Sequence, residues 1–239
     1  MLKVAQYREI HSEGVEGLFE KMIHLVSIIQ DLDPLDVQHW KPNRLIEAYT
    51  EAQKKAALTE RYSETISIGG VDLHLIDSSK FTLMQFINLE EYVSESFDLN
   101  LHKIAATLYL TQTKGGIFED TIEPYRNVNV DYRANLIDEM PVNQIYGACK
   151  KYLKFRETFF DSYELFKDPF EGVDVNNLTD EERIEYEKEM KEREKQSSNQ
   201  WLTMLNILSD GDVTKFDSIL DSNLFLTFNQ LSYKKSNKT

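Results

Sequence analysis

The sequence predicts a mainly α-helical fold with a small antiparallel β element, an α+β class in which helical N- and C-terminal units are joined through a mixed middle region. Three observations carry that expectation. Apolar residues recur at three- and four-residue spacing in several separate stretches. One segment, Tyr62 to Asp77, switches to period two around a glycine pair. Another, Asp180 to Lys195, holds eight acidic and five basic residues, with Glu187 and Lys191 at the favourable i,i+4 spacing of a solvated helix. The organisation read from these is a helical unit over 1–60, a mixed domain over 61–170, a charged helical connector over 171–200 and a helical unit over 201–239.

From Val15 to Gln30 the apolar positions Val15, Leu18, Phe19, Met22, Ile23, Leu25, Val26 and Ile29 predict an amphipathic helix. Asp31-Leu32-Asp33-Pro34 ends it, because proline disfavours helical geometry in the residue before it, and Pro34 can open the next helix at its first position. After a second break at Lys41-Pro42, good helix formers predict a helix from Asn43 to Leu58. Ile66, Ile68, Val71, Leu73 and Leu75 around Gly69-Gly70 predict a hairpin with a two-residue turn. Phe81 to Val93 reads as a helix. Leu101 to Leu110 does too, although its β-branched and aromatic end could equally be a strand. Lys114-Gly115-Gly116 and Glu123-Pro124 bracket a short irregular or β segment, and Met140-Pro141 opens a long helix reaching about Phe166. Thr179, with Glu182 three residues on, reads as a capping box leading into the connector.

Sliding the C-terminal unit onto the N-terminal one at a constant offset of 179 residues pairs Asp31 with Asp210, Asp33 with Asp212, Leu45-Ile46 with Leu224-Phe225 and Tyr49 with Phe228. A true repeat and the general likeness of amphipathic helices both account for this match. A short helical unit of this kind buries its apolar face only against another element or a partner.

Composition narrows the function. The 41 acidic against 27 basic residues give a net charge of −14, which opposes attraction to nucleic acid or anionic membrane. No apolar stretch reaches the ~20 residues that span a bilayer, and Met1 to Tyr7 lacks the apolar core of a signal peptide, so a cytoplasmic location is expected. The single cysteine, Cys149, cannot build a disulfide framework and reads as a buried inert thiol. The five histidines show no metal-ligand spacing. The run Asp210 to Asp221 imitates a calcium loop but has Lys215 where glycine is needed and Asp221 where a longer Glu is usual, so it reads as a helix-capping turn. No nucleophile elbow, Walker loop or dinucleotide fingerprint is present. The expectation is a non-enzymatic protein with no cofactor and no metal. Tyr152, Phe155, Phe159, Tyr163 and Phe166 form an aromatic stripe that is either core or a groove for a partner helix. Leu25, Ile29, Trp40, Trp201, Leu205, Leu208 and Phe225 are the candidate partner-binding residues, with core packing as the competing reading.

Three stretches carry a resemblance: Val4-Ala5-Gln6-Tyr7-Arg8-Glu9-Ile10 with the helix ending Leu25-Val26-Ser27-Ile28-Ile29; Phe81 through Tyr92 with Asn100 to Ala106 and Glu139-Met140-Pro141; and Trp201 through Tyr233. Together they are similar to blocks of bacteriophage virion-assembly proteins, and the nearest group is the phage tail assembly chaperones. Those are small acidic helical proteins that coat the tape-measure protein until tail tube subunits replace them. The chain departs from them in its length and its β-hairpin. The resemblance implies a non-enzymatic protein of the host cytoplasm that binds the tape-measure or another tail protein, with homo-oligomerisation open. A minor structural or adaptor component of the virion is the alternative. An acidic inhibitor of a host DNA-binding protein is a second, disfavoured because the carboxylates are interspersed with Lys and Arg.

Overall fold

A computed structural model of the chain describes residues 2–12, 17–113, 121–163, 179, 183 and 200–236. It is mostly helical with a small four-stranded antiparallel sheet. Its contacts divide the chain into two compact units, one of residues 1–78 and 88–153 and one of residues 79–87 and 154–239. These are not the boundaries expected from the sequence. The N-terminal helices share a unit with the middle region, and the segment at 79–87 belongs with the C-terminal helices.

In the first unit, α1 (Val4–Ile10) is a helix that periodicity did not predict. Its register is set by distant backbone: Val4 N–H donates to Met140 O at 2.9 Å, Ala5 N–H to Asp138 O at 3.0 Å, and Val142 N–H to Leu2 O at 2.9 Å. Two of the stretches that carry the resemblance therefore bind each other. The same pairing corrects the start of the long helix. Pro141 bridges Lys3 in extended conformation, a 3-10 turn covers Val142–Gln144, and α8 runs only from Tyr146 to Asp161. Close behind lies Gly147, where a Cβ would sit 2.5 Å from Glu60 O.

The helices α2 (Leu18–Gln30), α3 (Pro34–Gln38) and α4 (Pro42–Ala56) follow the sequence reading closely, with Pro34 and Pro42 each in a first turn, where a missing N–H costs nothing. Residues 13–16, the expected start of α2, lie outside the described residues. Around Val26, Val37, Leu45 and Ala52 these helices form their own small core. The hairpin is β1 (Thr65–Ile68) and β2 (Val71–Leu75), turning at Gly69 and Gly70 with φ of 58° and 81°, the left-handed geometry that a two-residue hairpin turn requires and glycine supplies without strain. Helix α5 (Leu83–Ser96) is followed by α6 (Leu101–Leu108) and then by β3 (Tyr109–Thr113). Both readings of that stretch are thus realised in sequence. In α6 every residue but Lys103 is buried, so this helix forms the centre of the unit. Strand β3 pairs with β2 (Leu73 opposite Thr111) and with β4 (Thr121–Ile122), and α7 (Val130–Ile137), capped by the Asn129 side chain, is a second unpredicted helix.

The second unit holds α9 (Gln200–Ser209), α10 (Phe216–Leu220) and α11 (Leu224–Ser236) against residues 79–87 and the end of α8. Leu83 N–H donates to Ser222 O at 3.0 Å, and Leu224 N–H to Phe81 O at 2.8 Å. Phe159 lies at the centre of an aromatic core, with ring centroids 5.0 Å from Phe86, 5.1 Å from Phe228 and 5.5 Å from Phe225. Of the aromatic stripe on the long helix, Phe155, Phe159 and Tyr163 are in this core. Tyr152 instead donates to Glu90 Oε1 at 2.7 Å within the first unit, and Phe166 lies outside the described residues, as does the charged connector apart from Thr179, Arg183 and Gln200.

The repeat read at an offset of 179 residues is a repeat of local structure. Asp31 and Asp210 both end their helices in the left-handed region at φ 55°. Each turn closes with the same long hydrogen bond, Leu32 N–H to Ser27 O and Gly211 N–H to Asn206 O, both 2.9 Å, the six-to-one closure of a Schellman turn. Asp33 then accepts from Leu35 N–H at 2.8 Å and Asp212 from Thr214 N–H at 3.0 Å, capping the short helical turn that follows. Leu45 and Leu224, Ala52 and Leu231 are buried at matching positions of the last helix. The two modules, α2–α4 and α9–α11, repeat one design.

Candidate partner-binding surfaces

The seven candidate residues fall into both modules, and most of each side chain is already used. In the N-terminal module Leu25, Ile29 and Trp40 are half-buried on the core of Val26, Val37, Leu45 and Ala52, and the Arg44 guanidinium stacks 3.7 Å above the Trp40 ring. In the C-terminal module Leu205 and Leu208 are buried. Trp201 meets Phe86 edge-on at 6.0 Å, and Phe225 packs on Phe155 and Phe159. These residues hold the modules together. A face that repeats at helical spacing shows that something covers it, and in this fold the cover comes from the same chain.

Among the described residues the large apolar side chains left in solvent are others: Leu18, Phe19, Leu32, Leu35 and Ile46 in the first module, Leu202, Val213, Leu226 and Tyr233 in the second, with Val71 and Tyr132 elsewhere. Their signal in the sequence is a large apolar residue standing beside the buried stripe, as Ile46 stands beside Leu45 and Leu226 beside Phe225.

The polar side chains of the candidate chemical motifs carry structural tasks. Asp212 accepts from the Thr214 hydroxyl at 2.6 Å, which holds its carboxyl below the usual carboxylate range, and Asp210 is taken by Lys234 Nζ at 2.7 Å. Asp210 and Asp212 of the calcium-like run thus serve a lysine and a helix start. Lys234 also donates to Ile207 O and Leu208 O, satisfying carbonyls at the end of α9 that have no partner within the helix. The buried Cys149 thiol lies 3.9 Å from Leu101 O, and burial pushes it well above the ordinary thiol range, away from the thiolate that nucleophilic chemistry uses. Among the described residues no group of three His, Cys, Asp or Glu side chains is placed to hold a metal ion. Among the described residues, no helix is long and apolar enough to cross a membrane.

Comparison of the chain with family models, with curated proteins and with solved structures finds no match.

What the surface can do is therefore set by its own residues. The strongest polar constellation lies where α1 meets the rest of its unit. Tyr7 donates to Asp98, Arg8 pairs with Asp138 at 2.6 Å and reaches Leu99 O at 2.7 Å, and His102 is buried with Nδ1 unpartnered, as is Asp138 Oδ1. Burial, aided by the nearby Arg8 charge, lowers the His102 pKa to about 4. An open depression of about 450 Å³ lined by Thr203, Asn206, Ile207, Asp210 and Gly211 lies along the C-terminal module, with its one carboxylate committed to Lys234.

Proposed function

We propose that the chain is an assembly factor of the tail-chaperone type, which binds an apolar stripe of a phage structural client, such as the tape-measure protein, in the host cytoplasm and keeps it soluble. The observation that carries this reading is the N-terminal module, where Leu18 is 70%, Phe19 50%, Leu35 62% and Ile46 53% exposed. With Leu32 beside them, five large apolar side chains in solvent on so small a unit suit a protein interface better than a free surface. The net charge of −14 would keep a coated client soluble, and weak contacts repeated along a filament would bind by avidity.

The tagged chain purified from infected cells should bring down a long helical tail protein, and mature particles should lack the chain. Phe19→Glu with Ile46→Glu should lose that client while keeping the helical circular dichroism, because both side chains are exposed. Abundance in mature particles would replace the chaperone with a structural or adaptor component, and recovery of only a host DNA-binding enzyme would sink both.

A further inference from the structure

The C-terminal module carries a surface that its N-terminal counterpart does not. At the offset of 179 residues, Glu47, Thr50, Glu51 and Lys54 on α4 correspond to Leu226, Asn229, Gln230 and Tyr233 on α11, and all eight are exposed. Three charged residues have become Leu, Gln and Tyr, with Leu226 69% and Tyr233 70% exposed. Helix α9 has no charged residue in its ten, where α2 exposes Glu20 and Lys21. From Leu224 to Tyr233 α11 has none either, in a chain that is 28% charged. In the first module the matching face of α4, at Glu47, Glu51 and Lys54, is solvated and charged. Lys234, next in line, is turned away onto the end of α9.

We propose that the α11 face is covered by the same face of a second copy, giving an isologous dimer. Charge selects this occupant. Two chains of −14 each repel, and they can approach closely only where neither presents a carboxylate, which is what the α11 face provides. The pattern of the face agrees. Leu226 and Tyr233 stand two turns apart on one side of the helix, roughly 10 Å along its axis, with Asn229 and Gln230 midway. Antiparallel pairing about a two-fold axis between positions 229 and 230 sets Leu226 of each copy against Tyr233 of the other, with the amides meeting at the centre. A surface that matches itself in this way is what a two-fold interface requires. Asn229 is already oriented, its amide oxygen accepting from the Tyr163 hydroxyl at 3.1 Å.

The purified full chain, followed by sedimentation equilibrium through the micromolar range, should rise from 28.0 kDa towards twice that mass, and added NaCl should shift the curve to lower concentration by screening the mutual repulsion. The double variant Leu226→Glu with Tyr233→Lys restores the charges found at the matching positions of the first module without changing the net charge. It should remain monomeric, with unchanged circular dichroism and, at concentrations low enough that the wild type is monomeric too, the same melting temperature. Gln230→Cys should form a disulfide-linked dimer on mild oxidation, and Glu51→Cys at the matching position should not; buried Cys149 does not compete. A wild-type chain that is monomeric at every concentration and salt, a folded double variant that still dimerises, or equal cross-linking at positions 51 and 230 would each overturn the proposal. No client enters these measurements, so they succeed or fail independently of the chaperone reading.

Discussion

At the scale of single residues, His102 ties the stability of the fold to pH. It is buried beside Arg8 and Asp138, with Lys103 on its own helix and Asp131 on α7 also acting on its charge, and its pKa falls from 6.5 to about 4. Between those two values the unfolded chain binds a proton at this site that the folded chain does not. The stability His102 permits is therefore complete above pH 6.5 and is lost progressively as the pH falls towards 4. By pH 5 the loss should be about 1 kcal/mol once solvent screening is allowed for. Urea unfolding at pH 7 and pH 5 should show it in the wild type, and His102→Gln should remove that share of the difference; an identical pH dependence in the variant would contradict the assignment. None of this was legible in the sequence, where His102 was one isolated histidine among five. Its neighbours Arg8 and Asp138 come from positions far along the chain, and only the docking of α1 brings them together. The candidate interface residues were half legible. Periodicity marked Leu205 and Leu208 as covered, but a periodic stripe does not say whether the cover is another part of the chain or a partner.

At the scale of elements, the sequence spoke clearly where structure is local. The glycine pair at the hairpin, the prolines opening α3 and α4 and the apolar period of α2 all act within a few residues, and each element stands where it was expected. It was silent on α1 and α7 and misplaced the start of α8, because those depend on backbone bonds such as Val4 N–H to Met140 O that no local window contains. The repeated turn is the local device most open to test, because its two aspartates carry the same charge and do opposite work. Asp31 sits in the left-handed region at φ 55° beside the negative end of α2, where glycine carries no steric penalty, so Asp31→Gly should gain up to about 1 kcal/mol. Asp33 caps α3 through Leu35 N–H, so Asp33→Ala should lose about 1 kcal/mol. Each variant removes one negative charge, so a difference of sign in their denaturation midpoints isolates backbone geometry from charge. Asp210→Gly should gain less than Asp31→Gly, since it also gives up the bond to Lys234.

At the scale of the whole molecule, net charge and individual ion pairs pull in opposite directions, and salt decides between them. Exposed pairs such as Lys3 with Glu139 and Lys215 with Asp212 contribute little in water and are weakened further by salt. The more shielded pairs, Arg8 with Asp138 and Arg133 with Glu123, are screened much less. Against the exposed pairs stands the self-repulsion of a chain of −14, which acts over long distances and is relieved as the screening length shortens from about 30 Å at 0.01 M to about 8 Å at 0.15 M. The repulsion is summed over the whole fold and the exposed pairs are few among the described residues, so relief should win. The melting temperature should rise over that range by about 3 °C, the shift that about 1 kcal/mol produces in a protein of this size. Dimerisation would raise it too, since association with a second folded copy also stabilises. The variant Leu226→Glu with Tyr233→Lys separates the two effects because it keeps the charge at −14 while removing the uncharged face. A salt-dependent rise retained in that variant belongs to the single chain; one that vanishes belongs to the dimer; and a fall in both would mean that the exposed ion pairs outweigh the net charge.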